Sequence, residues 1–193
     1  MAQIDTQSLH IRIDRSGVRR VQSDLAHIRN GYEQAMARAI NHTLTVTRTE
    51  AGQAIRKQVK LKAGYVRERL KVSKATRSKP TGSLATPSRG VLLTRYAHRQ
   101  YANGDIGVKV KPTGGYKRMP GAFFIGPLKH SGATAIAFRN QYGPGLGRTE
   151  GLRITYGPSV SQVFTDVKDD LHALGGNRLM QRLQHEAERL LAR

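Results

Sequence analysis

The sequence predicts an α+β fold: long N-terminal helices packed on an antiparallel β-sheet, with C-terminal helices. Three observations carry this. Met36, Ile40, Thr43, Leu44, Thr47, Ala51, Ala54, Ile55 and Val59 recur at helical spacing, with Ala35 and Ala39 beside them. From Arg89 the chain turns into short β-rich runs separated by Gly or Pro. After Pro158 the apolar residues return to helical spacing. One structural domain is expected, in four stretches. Residues 1–79 form an N-terminal strand and a long basic helical arm, and 80–88 a linker. Residues 89–158 form the antiparallel sheet and 159–193 the C-terminal helices.

"LHIRID" alternates apolar and polar residues and reads as a strand. Val18, Val21, Leu25 and Ile28 then follow as one helical stripe, and Asn30-Gly31 is expected to break or kink it. The long helix should run for roughly thirty residues, about 45 Å at 1.5 Å per residue. Its stripe of Ala and Thr permits close approach of a neighbour. Gly52 inside it costs about 1 kcal/mol relative to Ala, so a tight contact is expected there. Lys62-Ala63-Gly64 reads as a turn, and "YVRERLKV" as a short helix with Tyr65, Val66 and Leu70 inward. "SKPTGSLATPS" is linker-like in composition. "GVLLTRY", "IGVKVKP", "GAFFIG", "ATAIAFRN" and "LRITY" are five candidate strands. Val160, Val163, Phe164, Val167 and Leu171 begin a helix that Gly175-Gly176-Asn177 should end. Leu179, Leu183, Ala187, Leu190 and Leu191 mark a final one.

The chain has 193 residues, no Trp and four Phe, and 38% of it is hydrophobic. That predicts a modest core of the kind completed against neighbours. Cys is absent, which excludes disulfides, Cys-ligated zinc and thiol chemistry and fits assembly in a reducing cytoplasm. No apolar run approaches the ~20 residues needed to span a bilayer, and no secretory pattern opens the chain, so no membrane partner is expected.

The formal net charge is +20, from 33 Lys+Arg against 13 Asp+Glu, which implies a polyanion or an acidic protein surface as partner. Ten bases fall in one block: Arg56, Lys57, Lys60, Lys62, Arg67, Arg69, Lys71, Lys74, Arg77 and Lys79, with Glu68 the one acid among them. Such residues neutralise phosphates with little sequence information. Contact with DNA and docking on an acidic partner are both open readings. Tyr65 is a candidate for stacking on a base. A helix-turn-helix is visible in outline, but the packing pattern of a major-groove reader is missing.

Other motifs carry less. "QYGPGLGRTEG" lacks the following helix and Lys-Ser/Thr of a phosphate-cradling loop, and reads as a hairpin loop. "PTGGYKRMPG" reads as a mobile Gly-rich loop with Lys117 and Arg118 at its tip, a second candidate contact. "RYAHRQY" groups His98 with two Arg and two Tyr, as a polar contact surface or a solvated strand end. No HxH or HxxxH pair occurs among the seven His residues, so no metal site is expected. Asp166, Asp169 and Asp170 share a helix as a solvated acidic face, a cation site, or a partner for a neighbouring copy's basic patch. No Ser-His-Asp order, Gly-x-Ser-x-Gly elbow or carboxylate pair stands out; no enzyme, catalytic residue or cofactor is expected. In "LRITYGPSV", Gly157 and Pro158 form a structural corner. The residue before Pro is pushed out of the α region, and Pro is tolerated in a helix's first turn. Ser159 and Ser161 suit an exposed first turn.

"GVLLTRYAHRQ", "GVKVKP", "MPGAFFIG", "AIAFRN" and "LRITYGPSV", after the basic stretch "AIRKQVKLKAGYVRERLKV", come in the order and spacing of a known family. Over roughly residues 35–164 the chain resembles the phage minor tail protein Z family, also called tail completion protein. The resemblance implies a structural virion protein of a siphophage with a long, non-contractile tail. It implies action late in tail assembly at the head-proximal end, joining the head–tail junction and helping to position the DNA end. The implied partners are other copies in a hexameric ring, a tail terminator, stopper or tube protein, and the genomic DNA end. "KHSGAT" and "NQYGPGLGRTEG" depart from the family pattern, so no roles pass to those loops. The alternative reading is a non-enzymatic DNA-binding protein using segment 56–79.

Overall fold

The structure, a computed structural model, describes residues 6–9, 15–129, 131–139 and 151–192. Strand β1 (Thr6–Leu9) and helices α1 (Arg15–Asp24), α2 (Gly31–Gln58) and α3 (Ala63–Arg69) come first. Strands β2 (Lys71–Ser73), β3 (Ser83–Pro87) and β4 (Val91–Leu92) follow, then a short 3₁₀ turn, Leu93–Arg95. Strands β5 (Ala97–Gln100), β6 (Ile106–Lys109), β7 (Lys117–Met119) and β8 (Phe123–Ile125) lead to β9 (Ala135–Arg139). Strands β10 (Leu152–Ile154) and β11 (Tyr156–Gly157) precede helix α4 (Val160–Leu191). The fold is α+β, as the residue pattern predicts.

The two long helices form the spine. Helix α1 ends at Asp24, earlier than Asn30-Gly31, and after a run of turns Asn30, in a left-handed backbone (φ 55°), is the N-cap from which α2 starts at Gly31. The small residues Ala35, Ala39, Ala51 and Thr47 on α2 are fully buried, and α2 and α4 make the most extensive contact between elements. Charged pins accompany the small residues. Arg178 on α4 grips Glu50 on α2 through two hydrogen bonds of 2.7 and 2.8 Å. Glu186, 2% exposed, accepts from Arg182 at 2.6 Å and lies 3.7 Å from Arg38 of α2 and 3.9 Å from Arg189. Residue numbers rise on α4 as they fall on α2 across these pairs, so the helices are antiparallel.

Two expectations about helices change. Gly175-Gly176-Asn177 does not end a helix: α4 runs unbroken for 32 residues. Val167, Leu171, Gly175, Leu179 and Leu183 keep one buried stripe in step across the glycines, and packing on α2 outweighs their low propensity. Gly52 marks no tight contact, because an added Cβ would meet only Leu70 at 3.7 Å.

The single expected sheet is four small antiparallel ones, ordered β1-β3-β2, β10-β9-β8, β11-β4 and β5-β6-β7. The stretch expected as a linker, 80–88, contains β3, the centre of the first sheet, with Leu84 and Thr86 fully buried. "LRITY" splits at Thr155. Its N–H and hydroxyl both donate to Ile136 O, at 2.9 and 2.8 Å, on one side, while its carbonyl accepts from Leu93 on the other. The chain thereby passes from the β9 sheet to the β4 sheet. Residues 10–14 of the first expected strand lie outside the described residues.

There are two cores. One joins the second half of α2, α3 and the start of α4 to the strands, around Ile55, Leu84, Ile136 and Phe164. The other joins α1, the first half of α2 and the end of α4, around Leu25, Ala39 and Leu183. The 157–159 corner sits on the first. Gly157 pairs with Val91, and a Cβ there would lie 2.6 Å from the Tyr96 ring. Tyr96 is buried and its hydroxyl donates to Pro158 O at 2.6 Å. Close approach to a ring, not a turn, requires the glycine. Ser159 and Ser161 are buried rather than exposed. Ser159 is the N-cap of α4, accepting from Gln162 N at 3.0 Å while its own N–H donates to Gln162 Oε1 at 2.8 Å.

Two stability predictions follow from this packing. Glu186→Ala should cost about 2 kcal/mol, because it removes the buried acceptor shared by three partly exposed arginines; urea unfolding measures it, and no loss would remove the carboxylate from the account. Gly157→Ala should cost about 2 kcal/mol by overpacking against Tyr96, and a thermal melt unchanged from the parent would contradict that.

Candidate nucleic-acid interface

All ten residues of the basic block are exposed, and none makes an ion pair with another described residue. Glu50 and Glu186 are taken by arginines outside the block, and the block's own side chains are exposed, so its charge faces solvent. Arg56 and Lys57 end α2, Lys60 lies just beyond it, Lys62 precedes α3, and Arg67 and Arg69 end α3. Lys71 is on β2, and Lys74, Arg77 and Lys79 are in the loop before β3.

The fold distributes these residues rather than gathering them all. Arg56, Arg67 and Lys74 line a cleft of about 500 Å³ between α2, α3 and β2, together with Arg48. Arg48 was missed from sequence because it lies about two helical turns before the block; its guanidinium donates to Arg67 O at 2.6 Å and ties α3 to α2. Arg56, Lys60 and Lys62 line a second cleft, of similar volume, with Arg95, Tyr96 and His98. Asn41 of α2 holds the loop that carries Lys74, Arg77 and Lys79. Its side chain donates to Ala75 O at 2.9 Å and accepts from Ala75 N at 2.8 Å. Arg77 is carried back to the start of α2, beside Asn30 and Glu33.

Tyr65 is not an open platform. It is half-buried, with the guanidinium groups of Arg69 and Arg95 at 5.0 and 5.6 Å from its ring centre. Lys117 and Arg118 are not at a loop tip. The turn closes earlier, at Gly114 (φ 94°), and both residues lie on strand β7. Successive strand residues point to opposite faces, so the two separate. Lys117 pairs with Val108, a core residue; Arg118 pairs with Gly107.

Arg118 joins a cluster that sequence reading left half-drawn. Arg99 of β5, Gly107 of β6 and Arg118 of β7 form one row across three strands. A Cβ on Gly107 would lie 2.8 Å from the Tyr101 ring, so that ring occupies the space above the glycine. The guanidinium of Arg99 lies 4.6 Å from the Tyr101 ring centre and 4.4 Å from that of Tyr116; Arg118 lies 4.1 Å from Tyr101. Arg99 also donates to the Tyr101 hydroxyl at 2.9 Å. "RYAHRQY" contained the residue types, but only the strand register brings Gly107 and Arg118 to them.

Asp166, Asp169 and Asp170 are exposed on α4, and no group of three metal-binding side chains occurs among the described residues. The loop 140–150 and His130 lie outside the described residues. No described helix is long and apolar enough to cross a membrane.

The hydrogen bond from Arg99, followed by Arg118, holds the Tyr101 phenol below its ordinary ionisation range. Absorbance titration of the seven tyrosines should therefore show one early phenolate, and Arg99→Gln should move it upward; an unchanged curve would contradict the hydrogen bond.

Residues 16–85 match the family model described as Prophage minor tail protein Z (GPZ). No curated protein and no solved structure matches the chain. The matched span holds α1, α2, α3 and the basic block, and ends within β3. This match lies on the helical segments that carry the basic clefts and makes residues 16–85 similar to the prophage minor tail protein Z family.

Proposed function

We propose that this protein is a non-enzymatic tail completion protein at the head-proximal end of a siphophage tail. It acts late in assembly, joins the head–tail junction and helps to position the DNA end. The observation that carries the reading is the coincidence of the family match with the basic block, ten exposed cations spread over α2, α3, β2 and the segments beside them, none in an ion pair with another described residue. A surface of that charge costs self-repulsion in the isolated chain and is favourable against a polyanion. Genomic DNA in the tail channel is such a polyanion, and its phosphates would be met by Arg56, Lys60, Lys62, Arg67 and Lys74 around the two clefts.

As a tail protein the chain works against other virion proteins. A closed ring, hexameric by the family resemblance, would present one patch of each copy to a different patch of the next. The exposed acidic face of α4 (Asp166, Asp169 and Asp170) and the basic arm are oppositely charged and suit such a head-to-tail contact. Free DNA binding through segment 56–79 is the second reading, favoured by the same exposed cations. It predicts gel-shift affinity that falls steeply with salt but no association with virions.

Charge reversal at Lys60, Lys62, Arg67 and Lys71 in the phage tests the proposal. These side chains are exposed, so the fold should survive, while particles should fill with DNA and lose plaque-forming titre. Normal titre would remove the basic arm from tail completion, and absence of the protein from purified virions would favour the second reading.

A further inference from the structure

We infer that the Arg99–Tyr101–Arg118 row on the β5-β6-β7 sheet is a second phosphate-binding surface for DNA, continuous with the basic arm. The inference rests on the DNA-contact reading above and extends it to a part of the fold outside the matched span.

Order is the first argument. Exposed arginines lose side-chain entropy when they bind, and here two are already held by aromatic faces. The Tyr101 ring sits between their guanidiniums at 4.6 and 4.1 Å, and Tyr116 takes the other side of Arg99 at 4.4 Å. Stacking uses the guanidinium face and leaves N–H groups on its edge for phosphate oxygens. Gly107 is the residue that makes room for the ring.

Charge is the second argument. Lys109 stands in register with Ala97 on the same face, and Lys111 follows it. The nearby acid, Asp105, is in the β5–β6 turn and accepts from Asn103 at 2.9 Å. None of the arginines in the row forms an ion pair with another described residue.

Continuity is the third. Lys60 N donates to Val110 O at 2.6 Å, and Leu61 bridges Tyr96, so the arm is stitched to this sheet. The cleft at the seam carries Arg56, Lys60, Lys62 and Arg95. The result is one cationic tract from α2 to β7. The large exposed apolar side chains among the described residues, Tyr156, Leu174 and Leu191, belong to β11 and α4 and not to this tract. A protein interface is built round an apolar centre, whereas a phosphate backbone requires only ordered cations.

The test is fluorescence anisotropy of a labelled mixed-sequence DNA duplex with the full chain, over a salt series. Arg99→Gln with Arg118→Gln should lower the slope of log K against log salt by about two. Tyr101→Ala keeps the charge and should weaken binding through loss of order; thermal melts confirm that each variant is folded. An unchanged slope and affinity in both variants, with binding lost on reversal of Lys60, Lys62, Arg67 and Lys71, would overturn this inference and leave the arm's DNA contact standing. The converse pattern would support the row and remove the arm. Failure of the parent chain to bind the duplex at low salt would overturn both, and capture of an acidic polypeptide instead would reassign the tract to a protein partner.

Discussion

The pairing of α2 with α4 is the constraint on which everything else depends. A chain at +20 repels itself, and its acids are too few to neutralise it. The structure spends two of them where repulsion would do most harm. Glu50 and Glu186 hold Arg178, Arg182 and Arg38 at the helix seam, and Ala35, Ala39 and Ala51 bring the backbones close enough for those pins to reach. With the seam's arginines partly compensated, the remaining cations can stay solvated on the outer faces. α2 then presents Arg56 on the face opposite Thr43, Thr47 and Ala51 and the half-buried Arg48 on its flank, and both line the basic cleft.

The strands serve this spine rather than forming an independent layer. Four small sheets are stitched to the helices and to one another at single residues, among them Thr155, Tyr96 and Asn41. Each uses a side chain to satisfy backbone groups that a continuous sheet would have paired. Such an arrangement directs the chain ends and loops with little hydrophobic bulk, consistent with a core that contains four Phe and no Trp. One such stitch, between Lys60 and Val110, joins the basic arm to the sheet that carries the arginine–tyrosine row.

Much of this was legible in the residues. The stripe from Ala35 to Val59 and the inward Val66 and Leu70 follow from local periodicity and are present as expected, whereas the first helix ends at Asp24, before the break expected at Asn30-Gly31. The missed features are those in which a distant partner decides. Gly175-Gly176 resembles a helix end until α2 supplies a surface for Leu171, Leu179 and Leu183. β3 resembles a linker until β1 and β2 flank it. Lys117 and Arg118 look like neighbours at a loop tip until pairing with β6 turns them to opposite faces. The arginine–tyrosine row exists only through register, because its glycine, its arginines and its rings come from three strands and the segments beside them.

The central claim is the proposal that this chain is a tail protein and presents its cationic tract to the DNA at the head-proximal end. A cryo-electron microscopy reconstruction of the virion neck tests it most directly. The account predicts density for this fold at the junction of head and tail, with the tract from α2 to β7 turned toward the channel. Density for the chain elsewhere in the virion, or a tract facing bulk solvent on the outside of the neck, would contradict it.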